Sequence, residues 1–490
     1  GRARRTIMGT ISSAFGSISG ALNADQSALS IVANNVANAN TPGYTEETPN
    51  WQENDPVQIN GVSYGDGVTE TGATSQRDSV LVARLDQQQQ SASASSARLT
   101  ALNSIQALFT PDSGSSTSTA GDIGSDITSF FSSFSSLEAN PTDTSLDEQV
   151  LSSATTLAGD ISNAAASLNT QRSGLDQEAA GVTSQVNSLT GAISQLNQQI
   201  QSVSPDADAG TLEDQRDEDV SQLSQLIGIN QVTTENNGLS ITTASGQLLV
   251  SEGSSYQLTS GSVNGVTDFF LGGTDVTKQL AGGGGELGGY LTARDQDIPN
   301  ALTSLDQLAY NVSTQVNSLN NSGTDLNGVE GTGTNQAGVT GTGTTPLYIF
   351  NEPTVVSGSA ASMSVVMTDP SQVASAALGA GTGDNSNATA MANLAKQTIV
   401  NGLTPTNFYS NFVSTLGATV SGVQAENTAQ NASVTQLQTQ NDALSKVNLN
   451  DEAAAMSTME SSYQAASQVF TMLNTIMASA LNLGEQTTVS

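Results

Sequence analysis

The chain has 490 residues, enough for two to four domains with sizeable cores. Only 12% of residues are charged, and 12 Lys and Arg face 45 Asp and Glu, so a formal net charge of -33 repels nucleic acid and anionic membrane surfaces. With no Cys and no His, disulfides, thiol nucleophiles, Cys/His zinc sites and Ser-His triads are excluded, while carboxylate chemistry and oxygen-ligand metals survive.

The first element is an apolar heptad. Ile11, Phe15, Ile18, Leu22, Asp25, Leu29, Val32 and Val36 recur at alternating spacings of four and three, broken only by Asp25. That is the a/d seam of a coiled coil. Arg2, Arg4 and Arg5 precede it without the apolar run of a signal peptide, so Met8 reads as a native start behind a seven-residue extension. The seam ends in Ala33-Asn34-Asn35-Val36-Ala37-Asn38-Ala39-Asn40-Thr41-Pro42-Gly43-Tyr44. Thr-Pro-Gly-Tyr places Pro and Gly at the two central positions of a type II turn, where a helix must stop.

Short extended pieces with Gly61, Gly65 and Gly67 are expected over 57–72, then a helix from about Arg77 to Phe109. A Ser/Thr/Gly loop at 111–121 leads to a short helix carrying Ile127, Phe130, Phe131, Phe134 and Leu137. The longest helical pattern runs from about Leu146 to Val203, its second half keeping the four-three alternation of a bundled helix. A turn at Pro205–Gly210 and a helix from Leu212 to Ile227 follow. From Ile229 to Leu271, β-branched runs punctuated by Asn237-Gly238 and Gly246 read as hairpins. Helical spacing returns over Leu287–Leu319, a Gly/Thr/Asn loop fills 320–345, and residues 346–368 are expected to return strands to the β unit. Leu403–Val447 is helical and leads into a second heptad, Met456, Met459, Tyr463, Ala466, Phe470, Leu473, Met477 and Ala480. No stretch approaches the ~18 apolar residues of a membrane span.

The expected fold is mainly α with an inserted β domain. Paired terminal coiled-coil helices (1–40 and 450–490) carry an elongated helical rod (41–228, 286–320 and 390–449), a small β-rich outer domain (229–285 and 346–375) and a flexible loop (321–345). Two seams hundreds of residues apart pack against each other or against neighbouring subunits.

Other features have plainer readings. Asp206, Asp208 and Gly210 fall short of a calcium loop, with the Gly one place early and Asp217 where the closing Glu belongs. Glu213, Asp214, Asp217, Glu218 and Asp219 read as an acidic helix start, with Arg216 pairing internally. Gly282–Gly285 lacks the Gly-Lys-Ser/Thr of a phosphate loop. Trp51, the only tryptophan, argues against a sugar-binding aromatic platform.

The 33–44 segment resembles the motif of bacterial flagellar rod, hook and junction proteins. Gly67-Val68 through Arg77-Asp78, Asp126-Ile127-Thr128-Ser129-Phe130-Phe131, Leu212-Glu213-Asp214-Gln215-Arg216-Asp217 with Val220 and Leu223, and Val447-Asn448-Leu449-Asn450-Asp451-Glu452-Ala453-Ala454 narrow the resemblance to the FlgK-type family of hook-associated proteins that join hook to filament. Gly285-Glu286-Leu287-Gly288-Gly289-Tyr290, before a helix with Arg294, fits as well. The resemblance implies a non-enzymatic structural subunit without cofactor, metal or catalytic residue. It would be exported through the flagellar type III channel and assembled outside the cell without inserting in a membrane. Implied partners are the hook protein, the second hook-associated protein, a ring of like subunits and a cytosolic export chaperone. The chaperone would hold the C-terminal helix at Tyr463, Val469, Phe470, Leu473 and Ile476. Another axial protein (distal rod, hook or flagellin) and a carboxylate-based cell-wall hydrolase are the alternatives; rod and hook proteins share the 33–44 motif but not the 146–203 helix or the Leu212–Leu223 block, and flagellins share the terminal seams but lack the Asn40-Thr41-Pro42-Gly43-Tyr44 element.

Overall fold

The structure is a computed structural model that describes residues 2–59, 61–110, 122–203, 208–263 and 265–485. The expected loop at 111–121, most of the turn after Val203 including Asp206, and the side chains of the first ten residues and of Ala480 lie outside the described residues.

Helix α1 spans Arg2–Asn38 and is followed by a two-stranded ribbon, β1 (Glu47–Glu53) pairing antiparallel with β4 (Val68–Ser75). Between them β2 (Val57–Ile59) and β3 (Val62–Tyr64) form a hairpin beyond the ribbon. The ribbon lies on α1 through small residues: a Cβ on Gly67, whose φ is +83°, would stand 2.8 Å from the Ser17 Cα, so only glycine fits both the turn and the contact. Helix α2 (Ser79–Ala107) starts where the Asp78 carboxylate accepts from the Val80 and Leu81 N–H groups, each at 3.0 Å. Then come α3 (Ile123–Ala139), the 60-residue α4 (Thr144–Val203), about 90 Å long at helical rise, and α5 (Gly210–Leu226).

The inserted β unit holds two antiparallel sheets. The first is β5 (Ile229–Thr233), β6 (Leu239–Thr243), β7 (Leu248–Ser251) and β8 (Ser254–Ser255) in that order; the second is β9 (Leu258–Val263), β10 (Val266–Leu271) and β11 (Thr274–Asp275). Helix α4 anchors both with side-chain amides, the buried Asn197 and the half-buried Asn187. Asn197 donates to the carbonyls of Leu239 and Glu252 and accepts from the Leu239 N–H, while Asn187 grips the Leu258 backbone in both directions at 2.8 Å. Each amide stands in for a missing strand neighbour. Short α6 (Thr277–Ala281) and α7 (Gly285–Thr292) lead through a π-turn at Ala293–Asp297 into α8 (Ile298–Asn321).

Two expectations fail between residues 321 and 400. Residues 346–375 return no strand to the β unit. Leu347, Ile349, Phe350, Met363, Met367 and Val373 instead enter the helical core beside α8, because the Asn317 and Asn320 side chains of α8 satisfy their backbone at Ile349, Phe350 and Ala374. Residues 321–345, expected to be a flexible loop, form two successive hydrogen-bonded hairpins with the same turn chemistry. The Asp325 carboxylate accepts from the Asn327 and Val329 N–H groups, and the Asn335 side chain ten residues later accepts from those of Ala337 and Val339. The Gly331 N–H closes the first hairpin on the Gly323 carbonyl and the Gly341 N–H closes the second on the Gly333 carbonyl, while the Gly343 N–H bonds the Gly331 carbonyl and ties the second to the first. Strand β12 (Gly323–Thr324) pairs with β13 (Ala376–Ala377) across the short α9 (Ser359–Ser362). Helix α10 (Ser386–Asn393) precedes α11 (Pro405–Ser445), which opens with Pro at its first position behind the Thr404 cap, and α12 (Leu449–Glu485) closes the chain.

Two cores result. One is built by α2, α3, the first half of α4, α8, the 347–400 segment and the start of α11; the other joins the second half of α4 to α5, α7 and the sheets. Buried acids perturb both halves of the molecule. Asp86 is 2% exposed, accepts from Gln231 at 2.7 Å, and is pushed up to about 7 by burial. Asp147 is 1% exposed with no partner on either oxygen, and burial, reinforced by Asp143 and Asp325, raises it to about 7. Such acids bind a proton more tightly folded than unfolded, so their contribution favours the fold near pH 4 and is lost as pH rises through about 7. The melting temperature is therefore expected to be several degrees higher at pH 5 than at pH 8, with Asp147→Asn removing part of the slope. Thermal melts that are flat across that range would contradict the assignment.

Candidate assembly site

The Asn-rich run stops α1 and sends the chain back against it. The Thr41 N–H bonds the Asn38 carbonyl at 2.8 Å, and the Tyr44 N–H bonds the Thr41 carbonyl at 3.2 Å, closing a turn with Pro42 and Gly43 at its centre. Gly43 has φ +77°, the left-handed value that a type II turn requires at this position. Asn38 donates to the carbonyl and side chain of Asn34 at 3.1 and 2.8 Å, and accepts from Thr41, which fixes the last turn of helix. Asn40 and Pro42 are exposed.

The reversal makes Asn35 a four-bond hub. This side chain is 1% exposed and its amide donates to the Glu47 carbonyl and to the Glu452 carboxylate, both at 2.8 Å. Its oxygen accepts from the Tyr44 hydroxyl at 2.8 Å and from the Glu47 N–H at 3.0 Å. Every donor and acceptor of the amide is used, and the partners come from α12, β1 and the turn. Burial raises the Tyr44 hydroxyl far above the usual tyrosine value, and burial also raises Glu452. Neither Glu47 nor Glu452 stands out in so acidic a sequence, although Glu452 sits in the Val447–Glu452 block.

A second cluster fastens the ribbon to α5. Arg77, just past β4, meets the carboxylates of Glu213, Asp214 and Asp217, the last at 2.9 Å, and donates to the Gly210 carbonyl at 3.2 Å. Asp214 also accepts from the Thr45 N–H at 2.9 Å, so the turn and the ribbon share one anchor. The acidic start of α5 is thus a receptor for Arg77 rather than a free dipole cap. Arg216, expected to pair locally, reaches Asp217 only at 4.0 Å and is directed mainly to Asn197 and the Asn237 carbonyl. Burial still lifts Asp217 to about 6 against the pull of Arg77 and Arg216. Asp208, from the incomplete calcium-loop pattern, accepts from the Ser75 and Gly210 N–H groups. Among the described residues no group of three acids stands close enough to hold a metal ion.

The two terminal helices pack antiparallel, with Asn35 opposite Glu452 at one end and the Phe15 ring 4.6 Å from that of Phe470 further along. The contact departs from the expected heptads. On α1, Ala24, Asp25, Ala28, Val32 and Asn35 are buried, Ile11, Phe15, Ile18, Leu22 and Leu29 are half-buried, and Val36 is exposed, because the ribbon and α12 share the helix between them. On α12, Met459, Ala466, Phe470 and Leu473 face the pair, whereas Met456, Tyr463 and Met477 are exposed. Val469, Met472 and Ile476 form a further exposed stripe at helical spacing. No described helix is long and apolar enough to cross a membrane.

This geometry is a braced joint with an apolar outer face, and the sequence blocks that converge on it match known proteins. The flagellar hook-associated protein FlgK helical domain matches residues 112–336, and the flagella basal body rod protein family matches residues 18–45. A flagellar hook-associated protein 1 from Escherichia coli is 27% identical over 313 residues, spanning 62% of this chain but 56% of the relative. One from Salmonella typhimurium is 26% identical over 55% of its length, so the chain spans about half of these two relatives. One from Bacillus subtilis is 26% identical across 94% of this chain and 96% of its own. The fold is shared with the flagellar hook junction protein FlgK from Burkholderia pseudomallei, at a TM-score of 0.61 and 20% identity over 73% of this chain and 99% of that one. The chain is thus similar to flagellar hook-associated protein 1 along most of its length and carries the FlgK-type helical domain over residues 112–336.

Proposed function

We propose that this chain is a structural subunit of the bacterial flagellum that joins hook to filament and is held there by its α1–α12 pair. The observation that carries the reading is the pair itself: both ends of the chain are locked together through Asn35 and Glu452, while one α12 face stays apolar and exposed. A free monomer gains nothing from such a face, and a polymer subunit needs one. On this reading the partners are the hook protein, the second hook-associated protein and like copies around the axis. Export runs through the flagellar type III channel, with a cytosolic chaperone on Tyr463, Val469, Phe470, Leu473 and Ile476 covering the same helix beforehand. The subunit has no catalytic role; zymography on peptidoglycan, giving no clearing, checks this against a cell-wall hydrolase.

The match to rod proteins over 18–45 supports a second reading, a rod subunit, but it covers only the second half of α1 and the turn motif, whereas the junction-family match takes in α3, α4 and α5. Deletion of the gene separates the two. A junction subunit is expected to leave hooks complete but bare, with filament subunits shed into the medium; loss of the hook would indicate a rod subunit, and intact filaments would refute both.

A further inference from the structure

Three stretches that meet along the terminal pair are free of charge. Residues 6–24, 56–65 and 461–484 contain no Asp, Glu, Lys or Arg, in a chain whose formal net charge is -33. Copies of such a chain repel one another, and close contact between them is cheapest through neutral surface.

Two exposed apolar faces lie on those neutral stretches. In the β2–β3 hairpin Val57 pairs with Tyr64 and Ile59 with Val62, which places Val57, Val62 and Tyr64 on one face. Those three are 36%, 53% and 42% exposed, and on α12 Val469, Met472 and Ile476 are 41%, 62% and 46% exposed. The two faces stand at one height along the terminal pair. Ser13 reaches Asp66 at 3.5 Å at the base of the hairpin, β2 lies against α1, and Phe15, half a turn from Ser13, stacks on Phe470. Neither face covers the other within the chain.

We propose that the hairpin face of one copy packs on the Val469–Met472–Ile476 stripe of the next. The occupant is a second copy because both surfaces belong to one chain, share a level and are free of the charge that keeps copies apart elsewhere. The surfaces differ, so the contact is heterologous and passes from copy to copy around an axis. This inference rests on the reading of the chain as an assembling subunit and adds the hairpin as a contact surface.

The absence of native cysteine gives a clean test. In flagella from motile cells carrying Val62→Cys together with Met472→Cys, oxidation is expected to produce cross-linked multimers, with none from either single variant or from Val232→Cys with Met472→Cys. Separately, Val62→Ser with Tyr64→Ser is expected to leave the monomer's melting temperature unchanged and to raise the concentration needed for self-association about tenfold, equivalent to about 1.4 kcal/mol. Normal incorporation without the cross-link, or self-association unchanged by the serine variant, would overturn the hairpin contact while leaving the subunit reading intact. Absence of the parent protein from the axial structure would overturn that reading and the contact with it.

Discussion

Asn35→Ala is expected to release α12 from the rest of the protein and abolish assembly, although it removes only a small polar side chain. Four groups lose their partner at once: the Glu452 carboxylate, the Glu47 carbonyl and N–H, and the Tyr44 hydroxyl. A buried polar group left unpaired costs about 1–3 kcal/mol, and water entering the opened site recovers part of it, so a net loss on the order of 4 kcal/mol is expected. That loss falls on the helix pair rather than on the two cores, which Asn35 does not touch. Hydrogen exchange should accelerate across 449–479 and 11–36 while the 175–203 stretch of α4 stays protected. Asn35→Asp should be worse, since it turns a donor into a carboxylate facing Glu452. Asn40→Ala, an exposed position in the same motif, should shift stability by less than about 0.5 kcal/mol. Equal protection in the Asn35→Ala variant and the parent would mean that the hub is ornamental.

Arg77→Met is expected to lower the melting temperature by roughly 3–5 °C at pH 7.5, from a loss of about 3–5 kcal/mol when one partner of a buried ionic cluster is removed. Glu213, Asp214 and Asp217 would then face one another with no guanidinium between them. The deficit should shrink at pH 5. Asp217 already titrates near 6 beside Arg77, and removal of that charge raises it further, so acidification neutralises the acids that the variant leaves stranded. Melts of parent and variant at the two pH values check the sign; a deficit that grew on acidification would show that Arg77 does not act through these carboxylates.

The helices were legible because their burial follows the apolar period closely. Along α4, Ala179, Val182, Val186, Ile193 and Ile200 are all buried, as the four-three alternation requires. The terminal heptads misled where a helix has two partners. Ser13, Ser17 and Gly20 hold the ribbon against α1 by being small, and a hydrophobic pattern gives no weight to smallness. The 346–375 segment has the β-branched residues of a strand, but the side-chain amides of Asn317 and Asn320 supply its hydrogen bonds, so it settles among helices. Within the site, the turn at 41–44 was legible from its own chemistry, whereas Glu47, Asp214 and Glu452 are three acids among 45 and acquire meaning only from what they face. Arg77 did carry a signal. In a chain with 12 cations, an arginine beside a helix cap and distant in sequence from an acidic cluster is a natural partner for that cluster.

A cryo-EM map of the hook–filament boundary tests the central claim most directly. The account predicts this chain between the last hook subunits and the second hook-associated protein, with α1 and α12 paired as described and the Val469–Met472–Ile476 stripe covered by a neighbouring copy. A boundary in which the chain is present but its α12 stripe faces solvent, or in which α1 and α12 of one copy lie apart, would contradict it.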